Sequence, residues 1–98
     1  MKNFRTYQLS IEFHKDCQNL KLSAVAKDQF DRALLSIPLN LAEGAAKPTE
    51  KDRRRFYFTA LGSMREVQTI IALFGTPALA QKGDVLAAHL YRLCHPHR

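Results

Sequence analysis

The feature that most constrains the fold is a helical repeat of apolar residues in four segments, separated by short breaks. Apolar side chains recur at intervals of three and four residues, and β-branched residues nowhere form the alternating runs typical of strands. The segments extend over about 3–22, 23–47, 50–74 and 78–94. They predict an all-α fold, an up-and-down antiparallel four-helix bundle that forms a single domain over residues 1–98.

The second segment contains a proline inside its helical pattern. Ser23 is suited to cap the start of this helix. Pro38 lacks the N–H that would bond to Leu34, which favours a kink or a break. The apolar face nevertheless continues through Leu41 and Ala45. We therefore expect one kinked helix.

The later breaks carry clear signals for helix ends. Thr49 predicts an N-cap for the third helix, and Gly75, Thr76 and Pro77 predict its end. The fourth segment is less clear because Gly83 interrupts it. One bent helix and two short helices both fit, and we expect the tail 95–98 to fray.

The first segment carries apolar residues over an unusually wide arc. They form two stripes on different sides of the predicted helix, namely Phe4, Tyr7, Ile11 and His14, and Leu9, Phe13, Cys17 and Leu20. Together the stripes exceed the arc of about 100° that one core-facing side requires. The pattern indicates that this helix covers both its own core and a second surface, which favours a homo-oligomer.

Length and charge limit the possible functions. The 98 residues carry 15 Lys+Arg against 9 Asp+Glu, a net charge of +6. A chain of this length cannot hold separate cofactor and substrate domains. The positive charge favours an anionic partner, such as nucleic acid, an acidic protein or anionic lipid.

The cysteines and the apolar stretches indicate the cellular compartment of the protein. Cys17 and Cys94 give no disulfide framework and are interpreted as buried apolar residues. The apolar run at 70–74 is far shorter than the ~20 residues needed to cross a bilayer, and the N-terminus lacks the apolar core of a signal peptide. We expect a reduced, cytoplasmic protein.

Polar residues also follow helical spacing on two segments. They are Arg32, Ser36, Asn40 and Glu43 on the second segment, and Thr59, Ser63 and Glu66 on the third. The spacing predicts hydrogen bonds between the two helices and an ion pair of Arg32 with a carboxylate; an ordinary solvated face is the alternative. No nucleophile, phosphate-binding loop or metal cage accompanies the carboxylates, so the sequence does not predict an enzyme.

Two sequence blocks carry a resemblance to a known family. RALLSIPLNLAEG at 32–44 and FYFTALGSMREV at 56–67 resemble the signatures of proteins encoded in intervening sequences of bacterial 23S rRNA genes. The resemblance implies a homo-oligomeric four-helix bundle, typically a pentamer, without enzymatic activity. The positions that match the family pattern are interpreted as structural, forming a polar network and, at the glycines, a close approach of helices. They are Arg32, Ser36, Pro38, Asn40, Glu43, Gly44, Gly62, Ser63 and Glu66.

The same fold includes accessory proteins of diversity-generating retroelements, which match this chain less well. Those proteins resemble basic pentameric barrels that bind nucleic acid and a reverse transcriptase. The chain departs from its relatives in a short stretch at 21–29 and in a short last helix that contains Gly83.

A basic stripe on the third segment is the main candidate binding site. Lys51, Arg54, Phe58 and Arg65 lie along one line of the predicted helix, and Arg53 and Arg55 flank that line. Cationic side chains neutralise phosphates and an exposed aromatic ring stacks on bases, so the stripe predicts nucleic-acid binding. The alternative is a solvated face with Phe58 buried against a neighbouring subunit.

The cysteine and histidines at the C-terminus form the remaining candidate site. Cys94, His95 and His97, with His89 upstream, have donor atoms that bind zinc elsewhere. Their spacing is not that of a known zinc finger, so we expect neither a metal nor a cofactor. The sequence favours a non-enzymatic, basic, oligomeric protein that binds RNA or DNA; the alternative is a scaffold that docks a protein such as a reverse transcriptase.

Overall fold

The computed structural model describes residues 4–96. These residues form four α-helices, α1 (Phe4–Asp16), α2 (Ala24–Ala45), α3 (Glu50–Phe74) and α4 (Pro77–Cys94), and contain no strand. α3 packs along both α2 and α4, and α1 packs against α2 and α4. Because short connections make sequential helices antiparallel neighbours, the elements build the predicted four-helix bundle, which extends 40 × 23 × 18 Å.

The first helix is shorter than the sequence predicts. α1 ends at Asp16 rather than near 22, a 3₁₀ turn follows at Cys17–Asn19, and Leu20 is extended with φ −70° and ψ 124°. The buried side of α1 and of the turn after it also differs from the prediction, because it joins Phe13 and Cys17 of the second stripe to Thr6 and Ser10, which belong to neither stripe. The Ser10 hydroxyl donates to the Tyr7 carbonyl oxygen at 2.6 Å, which allows a polar residue to be buried there.

The predicted surplus of apolar surface on the first helix is wrong for the described residues. Tyr7, Leu9 and Ile11 are half-buried, and the side chain of Phe4, also part of that prediction, lies outside the described part of the chain. The large apolar side chains that remain exposed lie on the other three helices; they are Val25, Leu35, Leu39, Phe58, Leu73, Phe74, Val85 and Tyr91. A helical wheel of α1 alone overstates its spare apolar surface, because α1 packs against two helices, α2 and α4.

α2 is one helix that runs through Pro38, as predicted. The Ser23 side chain accepts a hydrogen bond from the Ala26 N–H at 3.3 Å and caps the helix. Pro38 is buried and cannot donate the helical hydrogen bond to the Leu34 carbonyl oxygen. Burial of the face that continues to Leu41 accounts for the unbroken helix.

α4 is also a single helix, which decides between the two possibilities that Gly83 leaves open. The Thr76 side chain caps it by accepting from the Leu79 N–H at 3.2 Å. Gly83 is buried, and a Cβ there would lie 3.3 Å from Phe13 Cζ and 3.4 Å from Met64 Cε. The glycine therefore brings α4 close to α1 and α3 rather than breaking the helix.

The core lies along the bundle axis. Its most deeply buried large side chains are Leu34, Ile37, Leu41, Met64, Val67, Leu86 and Leu90. Cys17 and Cys94 are free and buried beside them, as predicted. Within 4–96, none of the helices has the length and apolar character needed to cross a membrane.

Candidate nucleic-acid interface

The positive charges at the start of α3 are partly balanced within the helix. The Thr49 side chain accepts from the Asp52 N–H at 3.2 Å and sets the helix start. Arg54 Nη2 lies 3.3 Å from Glu50 Oε2, and Arg55 Nη1 lies 3.9 Å from Asp52 Oδ1. Exposed pairs of this kind contribute little stability, so a phosphate can compete for the same guanidinium groups.

Arg53 has a structural contact that sets it apart from the other predicted binding residues. Its Nη1 donates to the Lys47 carbonyl oxygen at 2.8 Å and holds the turn between α2 and α3. Lys47 Nζ lies 5.1 Å from the centre of the Phe56 ring and 3.3 Å from Glu43 Oε2. Arg53 is therefore half-buried on this turn, whereas Lys51 is exposed in the first turn of α3.

Arg54 lies near the end of α4. Its Nε atom is buried and has no hydrogen-bond partner among residues 4–96. Burial raises the pKa of the Cys94 thiol to about 11, and the positive charge of Arg54 partly opposes that rise. Arg54 thus brings a cation to the C-terminus of α4, where the helix dipole favours positive charge.

Three aromatic rings meet beside Arg54. Phe58 is 45% exposed, and its ring centre lies 5.5 Å from that of His95 in an edge-on arrangement. The Tyr91 and His95 ring centres lie 4.2 Å apart, with the rings tilted by 39°. Phe58 was predicted as a contact residue from its place on the basic stripe, but Tyr91 and His95 were not, although their four-residue spacing puts them on one face of a helix.

His95, the first residue of the tail, is hydrogen-bonded to the end of α4. Its backbone N–H bonds to the Tyr91 carbonyl oxygen at 3.0 Å and to that of Arg92 at 3.2 Å. These bonds close the last turn of α4 and hold the His95 ring against Phe58. His97 and Arg98 lie outside the described residues.

A cleft between α3 and α4 continues this surface. Arg65 Nη1 donates to Gln68 Oε1 at 2.9 Å, and Gln68 Nε2 donates across to Asp84 Oδ1 at 3.0 Å. The cleft has a volume of about 390 Å³, and its walls also include Tyr91 and Arg92. It therefore places two guanidinium groups beside an aromatic ring that is 49% exposed.

We call this region the basic-aromatic surface and define it by Arg54, Phe58, Arg65, Tyr91, Arg92 and His95. The structure gathers three of the predicted residues, Arg54, Phe58 and Arg65, beside the end of α4. Lys51 and Arg55 are exposed on the first turns of α3, and Arg53 is held at the turn before it. Sequence analysis missed the half of the surface that α4 contributes.

The polar stripes of α2 and α3 meet, which confirms the predicted hydrogen bonding between these helices. Ser63 Oγ donates to Ser36 Oγ at 2.8 Å, and Asn40 Nδ2 donates to the same oxygen at 3.0 Å. Arg32 pairs with Asp28 of its own helix at 3.1 Å. A second groove of about 340 Å³ runs beside this network, between Arg32 and Glu66.

The two glycines of the family motif differ in their surroundings. A Cβ at Gly44 would lie 2.8 Å from Tyr57 Cε1 and 3.0 Å from Phe56 Cβ, so this glycine does bring α2 and α3 together. A Cβ at Gly62 would meet nothing within 4 Å. Gly62 therefore does not allow two helices of this chain to approach each other, contrary to the interpretation from the sequence. It lies on the outward side of α3.

The C-terminal histidines and cysteine do not form a cluster of metal ligands in the part of the chain that the structure describes. No three His, Cys, Asp or Glu side chains within residues 4–96 lie close enough together to hold an ion. The His95 ring packs against Phe58 and Tyr91 instead.

Comparison with known protein families gives one match that spans nearly the whole chain. The family described as "23S rRNA-intervening sequence protein" matches residues 2–94. A comparison with curated proteins finds no match. The matched range includes all four helices, both sequence blocks and the basic-aromatic surface as far as Cys94. The chain belongs to the 23S rRNA-intervening sequence protein family.

Proposed function

We propose that this protein is a non-enzymatic nucleic-acid-binding protein and that RNA is its natural ligand. The observation that carries the proposal is the meeting of cationic and aromatic side chains from α3 and α4 on the basic-aromatic surface. Arg65 and Arg92 line one cleft with Tyr91, and Arg54 lies next to Phe58 and His95 at its end. The family's connection with ribosomal RNA genes favours RNA over DNA.

Electrostatics supplies most of the binding free energy in this proposal. Each guanidinium group that neutralises a phosphate releases a counterion, so the binding constant falls as the salt concentration rises. The slope of log binding constant against log salt concentration is about −0.7 to −0.9 for each contact. The net charge of +6 adds long-range attraction. Phosphate contacts carry no sequence information, so we expect little base-specific recognition.

Fluorescence anisotropy with a labelled structured RNA tests the proposal. Replacing Arg65 and Arg92 together by alanine should weaken binding. It should also make the salt dependence less steep, by the amount expected for the loss of about two phosphate contacts. Arg32→Ala is the matched control, because Arg32 is exposed on α2 and pairs only with Asp28 among the described residues. Binding that is absent at low salt, or that is unchanged in the double variant, would overturn the proposal.

Assembly into a homo-oligomer is part of the same proposal, and the family resemblance favours a pentamer. Leu35, Leu39 and Ala42 are exposed along one side of α2. The two leucines are 51% and 59% exposed, which leaves a stripe that a second copy of the chain can cover. In an oligomer each basic-aromatic surface would be repeated, and weak sites would act together.

Light scattering tests the assembly. The expected mass is several times the 11.2 kDa of one chain, and Leu39→Glu should lower it. Val85→Glu serves as the control, since Val85 is 50% exposed on α4, away from the α2 stripe. A monomer at micromolar concentration would contradict this part of the proposal.

A protein partner is the second candidate, and a reverse transcriptase is the kind of partner that the resemblance implies. The exposed apolar residues on α2 and α3 that favour self-assembly would equally serve such a contact. A pull-down after nuclease treatment separates the two, because a partner held through RNA is lost and a directly bound partner is retained.

A further inference from the structure

We infer that the cleft between α3 and α4 takes an unpaired base, so that the protein binds single-stranded nucleic acid in preference to a duplex. This inference rests on the proposed function and deepens it by naming the class of ligand. The cleft joins the half-exposed ring of Tyr91 to the guanidinium groups of Arg65 and Arg92.

Tyr91 is held in place for stacking. Its ring packs against His95 at 4.2 Å, and Phe58 packs edge-on against that same His95 at 5.5 Å. The backbone of His95 is tied to α4 by two hydrogen bonds, so the three rings form a supported unit. A pre-oriented aromatic ring loses little conformational freedom when a base stacks on it.

Arg65 and Arg92 are available to a phosphate. Among residues 4–96 neither guanidinium group has a carboxylate partner within ion-pair distance, and Arg65 is bonded only to the neutral Gln68 side chain. Arg54 and Arg55 differ in this respect, because each of them lies within ion-pair distance of a carboxylate. A nucleotide whose base stacks on Tyr91 therefore has unpaired cations beside it for its backbone.

The end of the cleft away from Arg92 carries the negative charge of Asp84. The Gln68–Asp84 hydrogen bond ties α3 to α4 and fixes the width of the cleft. Asp84 and Arg92 lie eight residues apart on α4, about 12 Å along the helix axis. The carboxylate repels phosphate, so the stacked base and its backbone phosphate are both expected at the end of the cleft that Tyr91 and Arg92 line.

A duplex does not satisfy this arrangement. Its base faces are already stacked on each other, so only its phosphates can reach the arginines. Single strands offer free base faces, and aromatic stacking then adds to the electrostatic attraction. The difference between the two ligands is therefore expected to depend on Tyr91.

The test compares an RNA single strand of about 12 nucleotides with the duplex that it forms with its complement, using the full chain at low salt. Tyr91→Ala should weaken single-strand binding about tenfold and change duplex binding little. Tyr91→Phe keeps the ring and should bind like the wild type. Val85→Ala is the control, as another exposed apolar residue on α4.

The outcomes separate this inference from the proposed function. If Tyr91→Ala leaves single-strand binding unchanged, or weakens single strand and duplex equally, the inference is wrong even though the arginines still bind phosphate. If the Arg65 and Arg92 double variant binds both ligands as well as the wild type, the proposed function itself fails. Circular dichroism of each variant establishes that the helices are intact.

Discussion

Ser63 Oγ donates a 2.8 Å hydrogen bond to Ser36 Oγ and thereby joins α3 to α2 across 27 positions of sequence. Ser36 also receives the Asn40 amide, so the hydroxyl is the centre of a small network in the groove between the two helices. The contact ties the two helices together at one level along the bundle.

The first prediction concerns this serine pair. Ser36→Ala and Ser63→Ala should each lower the free energy of unfolding by about 1 kcal/mol, because a partner loses its hydrogen bond in a half-buried groove. The double variant should cost less than the sum of the two, since both changes remove the same bond. Urea unfolding of the wild type, the two single variants and the double variant measures this coupling. Thr59→Ala is the control because, among residues 4–96, its hydroxyl donates only to the Arg55 carbonyl oxygen of its own helix. Additive effects would show that the pair is not coupled.

The second prediction contrasts the two motif glycines. Gly44→Ala should destabilise the chain by about 1–3 kcal/mol, because the added methyl group meets Tyr57 and Phe56 at 3.0 Å or less. Gly62→Ala should stabilise it by about 0.5–1 kcal/mol, because alanine favours an exposed helix and the methyl group points into open space. Thermal unfolding of both variants provides the measurement. A Gly62→Ala chain with lower stability or lower assembled mass would mean that another surface packs against this residue.

The third prediction concerns the two thiols. Burial raises the pKa of Cys17 to about 12, with a smaller contribution from Asp16, and raises the pKa of Cys94 to about 11. Near pH 8 only about one Cys94 thiol in a thousand is ionised, and the thiolate is the reactive form. A thiol-specific disulfide reagent should therefore label the folded protein slowly and both cysteines rapidly in urea. Rapid labelling of the folded chain at either position would contradict the described burial.

The fourth prediction is a pH dependence at His89. Burial lowers the pKa of His89, and the positive charges of Arg92 and Arg5 lower it further. As pH falls through the unfolded value of about 6.5, the unfolded chain takes up a proton before the folded chain does. The contribution of this residue to stability is therefore present above that pH and is lost as pH falls toward the folded pKa.

Two measurements check the His89 prediction. A proton NMR titration should give His89 a midpoint below 6.5, and Arg92→Ala should raise it. Urea unfolding between about pH 7.5 and about pH 5.5 should show a smaller loss of stability in His89→Gln than in the wild type. A wild-type midpoint at or above 6.5 would show that the surroundings of His89 do not disfavour its charge.

Sequence analysis predicts the features whose causes lie within a few residues. The caps at Ser23 and Thr49 follow from side chains that bond to the helix they begin. The continuous apolar face likewise carries α2 through Pro38. Two short sequence blocks, at 32–44 and 56–67, are enough to indicate the family.

Other features depend on residues that are distant in the chain. Phe58 was found from the basic stripe, but its partner His95 comes from the tail and was expected to fray. The two helical glycines Gly62 and Gly83 look alike in sequence, and only the packing of Phe13 and Met64 distinguishes the buried one. The surplus apolar surface was assigned to α1 because one helical wheel cannot show that two neighbouring helices cover it.

The sequence by itself determined four helices, the ends of the last three to within about two residues, and a basic stripe on α3, because periodicity, capping and composition act over one or two turns. The tertiary structure alone decided that α4 completes the basic-aromatic surface and that Arg65, Tyr91 and Arg92 share one cleft. It also decided which apolar side chains stay exposed. The physical reason is that packing brings together side chains from different helices, and the relative rotation of those helices is set by the whole core.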